Sequence, residues 1–125
     1  MKNSMIDRNT FKTDCSIQNT TRCVTLESPA FTFTLDTTDG LRAVAWTNRL
    51  TGRTLNLGQG PEIEFDIGRP DRPLITPKLR VTGMAPGGGG AAGEVVFTLE
   101  ADSPAARVWV TYRWEAGSPV LRKHV

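Results

Sequence analysis

The segment from Arg107 to Glu115 most strongly limits what this chain can fold into, because its side chains alternate without a break. One face of the segment carries Val108, Val110, Tyr112 and Trp114, and the other carries Trp109, Thr111 and Arg113. A period of two is the side-chain period of a β-strand, so these residues are predicted to form a strand with one face in the core. Since the second face also holds a large aromatic ring, we expect the strand to be central in its sheet or covered on both sides.

Shorter alternations of the same kind occur along the chain from residue 24 onward. Strands are predicted at 30–37, 41–47, 62–67, 95–99 and 120–125, and shorter apolar alternations begin at residues 55 and 79. Thr38-Asp39-Gly40 separates the first two strands, and an Asp-Gly step readily takes the positive φ angles of a tight hairpin, so these two are predicted to pair antiparallel. About eight or nine short strands without a helical period predict an all-β fold, an antiparallel β-sandwich or a related barrel.

Three segments are predicted to lie outside the sheets. The stretch from Gly68 to Pro77 contains three prolines, which cannot donate to a sheet ladder, so we expect a long surface connection. Pro86 and the glycines that follow it are predicted to form a hairpin tip, because the Lys and the Ser or Thr of a phosphate-binding loop are missing. Residues 1–22 carry few apolar groups and are predicted to be a flexible polar leader, which leaves 23–125 as the sandwich domain.

Charge and cysteine content argue against several classes of function. Fifteen basic and thirteen acidic side chains give a formal net charge of +2, and the arginines are scattered, which argues against a nucleic-acid partner. No stretch approaches the roughly 20 apolar residues of a membrane span, and residues 1–9 do not resemble a secretory signal. We therefore expect no membrane partner and a cytoplasmic protein, or one trimmed of its signal. Cys15 and Cys23 have neither zinc-site spacing nor the density of a disulfide scaffold, so reduced thiols are expected.

The sequence contains no complete set of catalytic residues. Its single histidine, His124, has no partner for a Ser-His-Asp or Cys-His arrangement and forms no recognisable metal site with the cysteines. Glu62, Glu64 and Asp66 fall on one face of a predicted strand at steps of about 7 Å, which superficially suits the carboxylate pair of glycoside cleavage. The same pattern arises on any half-exposed strand, so we favour a solvated face and assign no catalytic residue, metal or cofactor.

The three tryptophans are the candidate binding residues, because indole rings either fill cores or stack on ligands such as sugars. Trp114 and Trp46 share their faces with valines and are predicted to lie in the core. Trp109 lies opposite Trp114, on the face that also carries Arg113. Trp109 is therefore the best candidate for a binding or interdomain surface, and Trp109 and Arg113 are the predicted carbohydrate-binding residues.

Several segments of the chain together resemble a known family of domains. They are Ala30 to Asp36, Asp39-Gly40-Leu41, Asn48 to Arg53, Val110 to Trp114 and Ser118 to Lys123. In this order they resemble the N-terminal β-sandwich domain, related to the galactose-mutarotase fold, that precedes the catalytic barrel in α-galactosidase-like glycoside hydrolases and other carbohydrate-active enzymes. The resemblance covers residues 27–125 and rests on turn and strand residues.

The resemblance implies a non-catalytic domain that shapes the substrate cleft or a subunit interface of a glycoside hydrolase. The catalytic carboxylates of such enzymes lie in a later domain, and their supersandwich is longer, so the chain would be an incomplete supersandwich at the front of a longer protein. The implied partners are a carbohydrate substrate, a following catalytic domain or a second copy of the chain. Two alternatives stay open: a stand-alone carbohydrate-binding module that uses Trp109, and a β domain that binds another protein along its unpaired last strand, 120–125.

Overall fold

The computed structural model describes residues 10–12, 23–87 and 92–125, and in these ranges it contains antiparallel strands and no helix. The first sheet has the order β1-β2-β3-β4-β5, with β1 at Thr10–Lys12, β2 at Cys23–Glu27, β3 at Phe31–Asp36, β4 at Arg42–Asn48 and β5 at Arg53–Asn56. The second sheet has the order β11-β10-β9-β8, with β8 at Arg80–Gly87, β9 at Ala92–Asp102, β10 at Ala105–Glu115 and β11 at Leu121–His124. A separate hairpin joins β6 at Ile67–Arg69 to β7 at Arg72–Ile75. The predicted all-β, antiparallel, sandwich-like fold is confirmed.

The two larger sheets share one apolar core. Its members on the first sheet include Val24, Leu26, Phe31, Phe33 and Leu35, and those on the second include Val95, Phe97, Leu99, Val110, Tyr112 and Trp114. Aromatic rings join the sheets, since Phe33 lies 5.7 Å from Tyr112 between ring centroids and Phe31 lies 6.0 Å from Trp114. Burying one such large apolar side chain stabilises folding by about 1.5–3 kcal/mol before conformational entropy is counted.

The strand from Arg107 to Glu115 occupies the position that its sequence predicted. It is part of β10, which lies between β9 and β11 and pairs antiparallel with both. Val110, Tyr112 and Trp114 are buried, and Trp109 on the other face is 53% exposed. The face assignment and the central position of this strand are both confirmed.

The predicted hairpin between 30–37 and 41–47 is also confirmed, with one irregularity in register. β3 and β4 pair antiparallel, and Gly40 in the turn has a φ of +81°. The register shifts between Thr34 and Leu35, because Thr34 lies opposite Ala45 whereas Leu35 lies opposite Ala43. One step along β3 thus corresponds to two residues of β4, which is a β-bulge. Every later side chain of β4 therefore lies on the opposite face from the one that an unbroken alternation would give.

The strand predicted at 62–67 is wrong for most of its length. Only Ile67 lies in a strand, whereas residues 62–66 form an irregular segment. Pro61 forms an isolated bridge with Arg42, and the amide of Glu62 donates to the carbonyl of Leu41 at 2.7 Å. These contacts bind the segment to the start of β4 instead of leaving it free to pair along its length.

The predicted connection from Gly68 to Pro77 contains structure that the prolines had argued against. Its first part forms the β6–β7 hairpin, with Pro70 and Asp71 at the turn. Proline presets the φ angle of a turn, and a two-stranded hairpin leaves both outer edges open, so Pro73 is tolerated within β7.

The cysteine prediction is wrong for Cys23, which is disulfide-bonded. Cys15, the other cysteine of the chain, lies outside the described residues. Disulfides persist mainly in oxidising compartments. The predicted cytoplasmic location itself stays an untested prediction. Of the predicted leader, residues 10–12 form β1 against β2, and the rest lies outside the described residues, as do residues 88–91 of the predicted glycine-rich tip.

Candidate functional site

The outer face of the second sheet presents Trp109 above a floor of small and uncharged side chains. Trp109 on β10 lies opposite Thr98 on β9, which in turn lies opposite Gly83 on β8. The next row along the strands contains Thr111, Val96 and Ala85. We call these six residues the Trp109 band. No described residue of β11 lies beside Trp109, because the pairing of β10 with β11 runs from Thr111 to Trp114.

Rows of paired charges border the Trp109 band on both sides. On one side Arg107 lies 3.6 Å from Glu100, and Arg80 contacts Asp102 through two hydrogen bonds of 2.8 and 3.1 Å. On the other side Arg113 lies 3.5 Å from Glu94. On β8, β9 and β10 the band is therefore an uncharged strip between compensated charges, which suits a neutral, hydroxyl-rich ligand better than a strongly charged one.

Hydrogen bonding fixes the charge state at one end of this face. The Thr82 hydroxyl donates to the Glu100 carboxylate at 2.8 Å and, with the nearby Arg107 and Arg80, holds the pKa of Glu100 below its usual value, against a smaller opposing effect of desolvation. Hydrogen bonds to the charged form of a carboxylate favour that form. The ion pair with Arg107 therefore persists into mildly acidic solution.

The two residues predicted to bind carbohydrate do not form one contact site. Trp109 and Arg113 share the outer face of β10, but they are four positions apart, about 13 Å at the rise of a strand. Arg113 lies in the row of paired charges, across from Arg122 on β11. Trp109 is half exposed and available to a ligand, whereas the guanidinium of Arg113 already has an acidic partner.

A second surface lies on the first sheet, at strands β4 and β5 and the turn between them. Trp46, Asn48, Thr51, Arg53 and Leu55 line a groove of about 590 Å³. We call it the Trp46 groove. Its volume falls within the roughly 300–1,000 Å³ that ligand pockets usually occupy.

Trp46 is held in place by the core behind it. Its indole is stacked on Phe31 at 4.7 Å between ring centroids with an interplanar angle of 12°, and it lies 5.9 Å from Phe33. The core position predicted for Trp46 is thus confirmed in part, because the ring packs against the core but is only half-buried and lines the groove. Its predicted face partner, Val44, is separated from it by the register shift in β4.

The turn between β4 and β5 positions the polar lining of the groove. Asn48 Oδ1 accepts hydrogen bonds from the amides of Leu50 at 2.9 Å and Thr51 at 3.3 Å. Gly52 completes the turn with a φ of +78° and donates its amide to the Asn48 carbonyl at 2.7 Å. Because Oδ1 is engaged, the remaining hydrogen-bonding group of the Asn48 side chain is its amino group, a donor.

Glu62, Tyr112 and Lys123 form a third cluster, which we call the Glu62 cluster. The Tyr112 hydroxyl donates to the Glu62 carboxylate, and Lys123 Nζ donates to the Glu62 carbonyl and lies 3.5 Å from the same carboxylate. Burial, and then the hydrogen bond and charge of Glu62, raise the pKa of Tyr112 well above its ordinary value. The carboxylate that sequence spacing had grouped with Glu64 and Asp66 is instead tied to the core, while those two side chains are exposed.

A smaller groove of about 230 Å³ at the end of the sandwich has four charged lining residues, of which Asp39, Arg42 and Lys78 already have partners. The guanidinium of Arg42 donates to the carbonyls of Asp39 at 2.8 Å and Gln59 at 2.9 Å, and Lys78 lies 3.5 Å from the Asp39 carboxylate. These contacts close the turn against neighbouring loops. They leave the groove few groups with which to bind a ligand.

Within 23–87 and 92–125 no three His, Cys, Asp or Glu side chains are grouped so that they could hold a metal ion. No helix in the described part of the chain is long and apolar enough to cross a membrane. His124 is exposed at the end of β11, across from Thr111.

Comparisons with protein-family models, with curated proteins and with solved structures found no match for this chain. The resemblance to the N-terminal sandwich of glycoside hydrolases therefore stays a prediction from sequence. The Trp46 groove was not predicted from the sequence at all. Its signal would have been the Asn48-to-Arg53 turn, which places a donor-rich loop next to an aromatic residue.

Proposed function

We propose that this chain is a non-catalytic β-sandwich domain of a carbohydrate-active enzyme, and that the Trp109 band contacts carbohydrate where the domain borders the substrate cleft. The observation that carries the proposal is the 53% exposure of Trp109 in a band of otherwise small, uncharged side chains. An indole fixed on a central strand offers an apolar platform for the C–H face of a sugar ring.

The surroundings of Trp109 support a neutral saccharide. Thr98 and Thr111 lie next to the ring, one across the strand pair and one along the strand, and their hydroxyls can exchange hydrogen bonds with sugar hydroxyls. Gly83, two strands away, carries no side chain, so it adds no bulk next to Thr98 that would obstruct a ligand. The arginines that border the band on β8 and β10 are paired with carboxylates, so they add little preference for an ionic ligand.

The test is a titration of the full chain with neutral mono- and oligosaccharides, followed by tryptophan fluorescence. We expect saturable quenching that Trp109→Ala removes and Leu74→Ala retains. Leu74 is a suitable control because it is 68% exposed and lies on β7, away from the Trp109 band. A folded chain that shows no response, or quenching that persists in Trp109→Ala, would contradict the proposal.

The strength of binding separates the proposed role from a stand-alone carbohydrate-binding module. A platform that forms only part of a cleft should bind with millimolar dissociation constants, because most ligand contacts come from the other domain. Micromolar binding by this chain alone would favour the stand-alone module, since it would need no further protein.

A protein-interaction role is the second candidate, favoured by β5. All four residues of this strand are exposed, and no described strand pairs with its outer edge. An open edge is a template for strand addition by a partner. The edge of β11 suits this less well because it carries Arg122, Lys123 and His124. Concentration-dependent association in sedimentation velocity, suppressed by Thr54→Lys on β5, would support this candidate.

A further inference from the structure

We propose that the Trp46 groove binds a sugar ring that carries a carboxylate, of the hexuronic acid class. The groove brings together an aromatic platform, a guanidinium and two uncharged polar side chains. This inference does not rest on the function proposed for the Trp109 band, which belongs to the other sheet and faces outward.

The aromatic platform is fixed before any ligand arrives. Phe31 covers one face of the Trp46 indole by stacking at 4.7 Å, and Phe33 packs against it at 5.9 Å. The ring is half-buried, and its accessible part lines the groove. A ring held by the core loses little conformational entropy on binding, which is the condition under which stacking contributes most to affinity.

Arg53 supplies the charge that selects the ligand. Its side chain is exposed, and among the described residues it has no ion pair and donates no hydrogen bond. By contrast, Arg42 at the other end of β4 is fixed by two carbonyls. A guanidinium presents parallel donors that match a carboxylate in a bidentate pair, so an unpaired arginine beside an aromatic platform favours an anionic ring over a neutral one.

The other polar groups of the groove match the hydroxyls of a sugar rather than a second charge. The Asn48 amino group is a donor, because Asn48 Oδ1 is engaged by Leu50 and Thr51. The Thr51 hydroxyl accepts from the Arg53 amide at 3.3 Å and can still donate. None of the described residues that line the groove is acidic, so nothing in this described lining repels a carboxylate.

The experiment follows the indole N–H signals of the three tryptophans in the ¹⁵N-labelled full chain. Glucuronate and galacturonate are the probes, and glucose and galactose are their neutral counterparts. The Trp109 signal is assigned with Trp109→Phe, which leaves the groove intact, and the Trp46 signal is assigned with Trp46→Phe. We expect saturable movement of the Trp46 signal with the uronates and at least tenfold weaker binding of the neutral sugars.

Arg53→Gln should weaken uronate binding about tenfold and remove the preference over neutral sugars, because the charge-assisted pair is lost. Arg72→Gln is the matched control, since Arg72 is an exposed strand arginine on β7 that does not line the groove. Equal binding of uronates and neutral sugars, or unchanged binding in Arg53→Gln, would overturn the proposal.

A protein occupant of the same groove would give a different result. If the Trp46 signal moves with protein concentration in the absence of sugar, the groove is covered by a second copy of the chain and the uronate proposal is wrong. If only the Trp109 signal responds to sugar, the function proposed for the Trp109 band stands and the groove proposal fails. The two proposals can therefore fail independently.

Discussion

The phenol of Tyr112 on β10 donates a hydrogen bond to the carboxylate of Glu62, fifty positions earlier in the chain. Tyr112 is 1% exposed, and its ring packs between Phe33 and Phe97, so the core fixes the position of its hydroxyl. Lys123 on β11 contacts the same glutamate. One residue of an irregular segment thus ties that segment to two strands of the second sheet.

Loss of this hydroxyl should destabilise the fold. We expect Tyr112→Phe to lower the free energy of unfolding by about 1–3 kcal/mol, because it leaves the partly buried Glu62 carboxylate without its donor. Urea denaturation measures the change. Glu62→Gln keeps an acceptor oxygen and should cost less, and the double variant should cost less than the sum of the two. Strictly additive losses would mean that the two groups do not interact.

The alkaline titration of the chain provides a second test, since Tyr112 is its sole tyrosine. Burial, and then Glu62, raise the pKa of Tyr112 far above its ordinary value of about 10. Above pH ~10 the unfolded chain loses the phenol proton, whereas the folded chain keeps it. The stability that this proton confers is complete below pH ~10 and falls as the pH rises further.

We therefore expect no tyrosinate absorbance from the folded chain near pH ~10, and its appearance only together with loss of the circular dichroism of the folded state. The urea-unfolded chain is the control and should titrate normally. Tyrosinate that forms near pH ~10 while the circular dichroism stays native would contradict the burial of this hydroxyl.

The Glu62 cluster also shows how far the sequence could be read. The alternations at Phe31–Asp36 and Arg107–Glu115 predicted their strands, because one-sided burial imposes a local period on each strand. The alternation of Ile63 with Phe65 was equally regular but misleading. Both are partly buried and packed against the core from an irregular segment, and the contacts that hold this segment involve residues distant in sequence, such as Leu41 and Tyr112.

The candidate sites were predictable to different degrees for a related reason. The period of β10 alone predicted that Trp109 lies on the face opposite the core, and this face assignment is confirmed. The face on which Trp46 lies depends on the register shift opposite Thr34 and Leu35. This shift is not visible in the local pattern, because a one-residue slip changes the face of a side chain without changing its neighbours in sequence.

Removal of the Thr82 hydroxyl should raise the pKa of Glu100 toward its ordinary value of 4.5. The hydrogen bond from Thr82 is the largest cause of the lowered pKa, followed by an opposing desolvation and then by Arg107. A lowered pKa gives stability that is present above the unfolded pKa and is lost as the pH falls through the folded pKa. Thr82→Val should therefore make the Glu100–Arg107 pair break at higher pH.

Carboxylate NMR titration of Glu100 measures this shift. Thr111→Val is the matched control, because Thr111 lies on the same outer face but in the row of Val96 and Ala85, away from Glu100. The Glu100 pKa should be unchanged in that control. An unchanged value in Thr82→Val as well would assign the lowered pKa to the arginines alone.

Gly93 lies opposite Trp114 in the β9–β10 pair, and the indole occupies the space that a side chain at Gly93 would need. A Cβ added at Gly93 would lie 2.3 Å from the Trp114 ring, which is itself buried and packed edge-on against Phe31. Gly93→Ala should therefore displace the indole and lower the free energy of unfolding by about 1–3 kcal/mol, the usual cost of overpacking. Gly58→Ala is the control, since a Cβ there meets nothing within 4 Å. Urea denaturation of both variants measures the difference, and equal stability would show that Trp114 can move aside without loss of core packing.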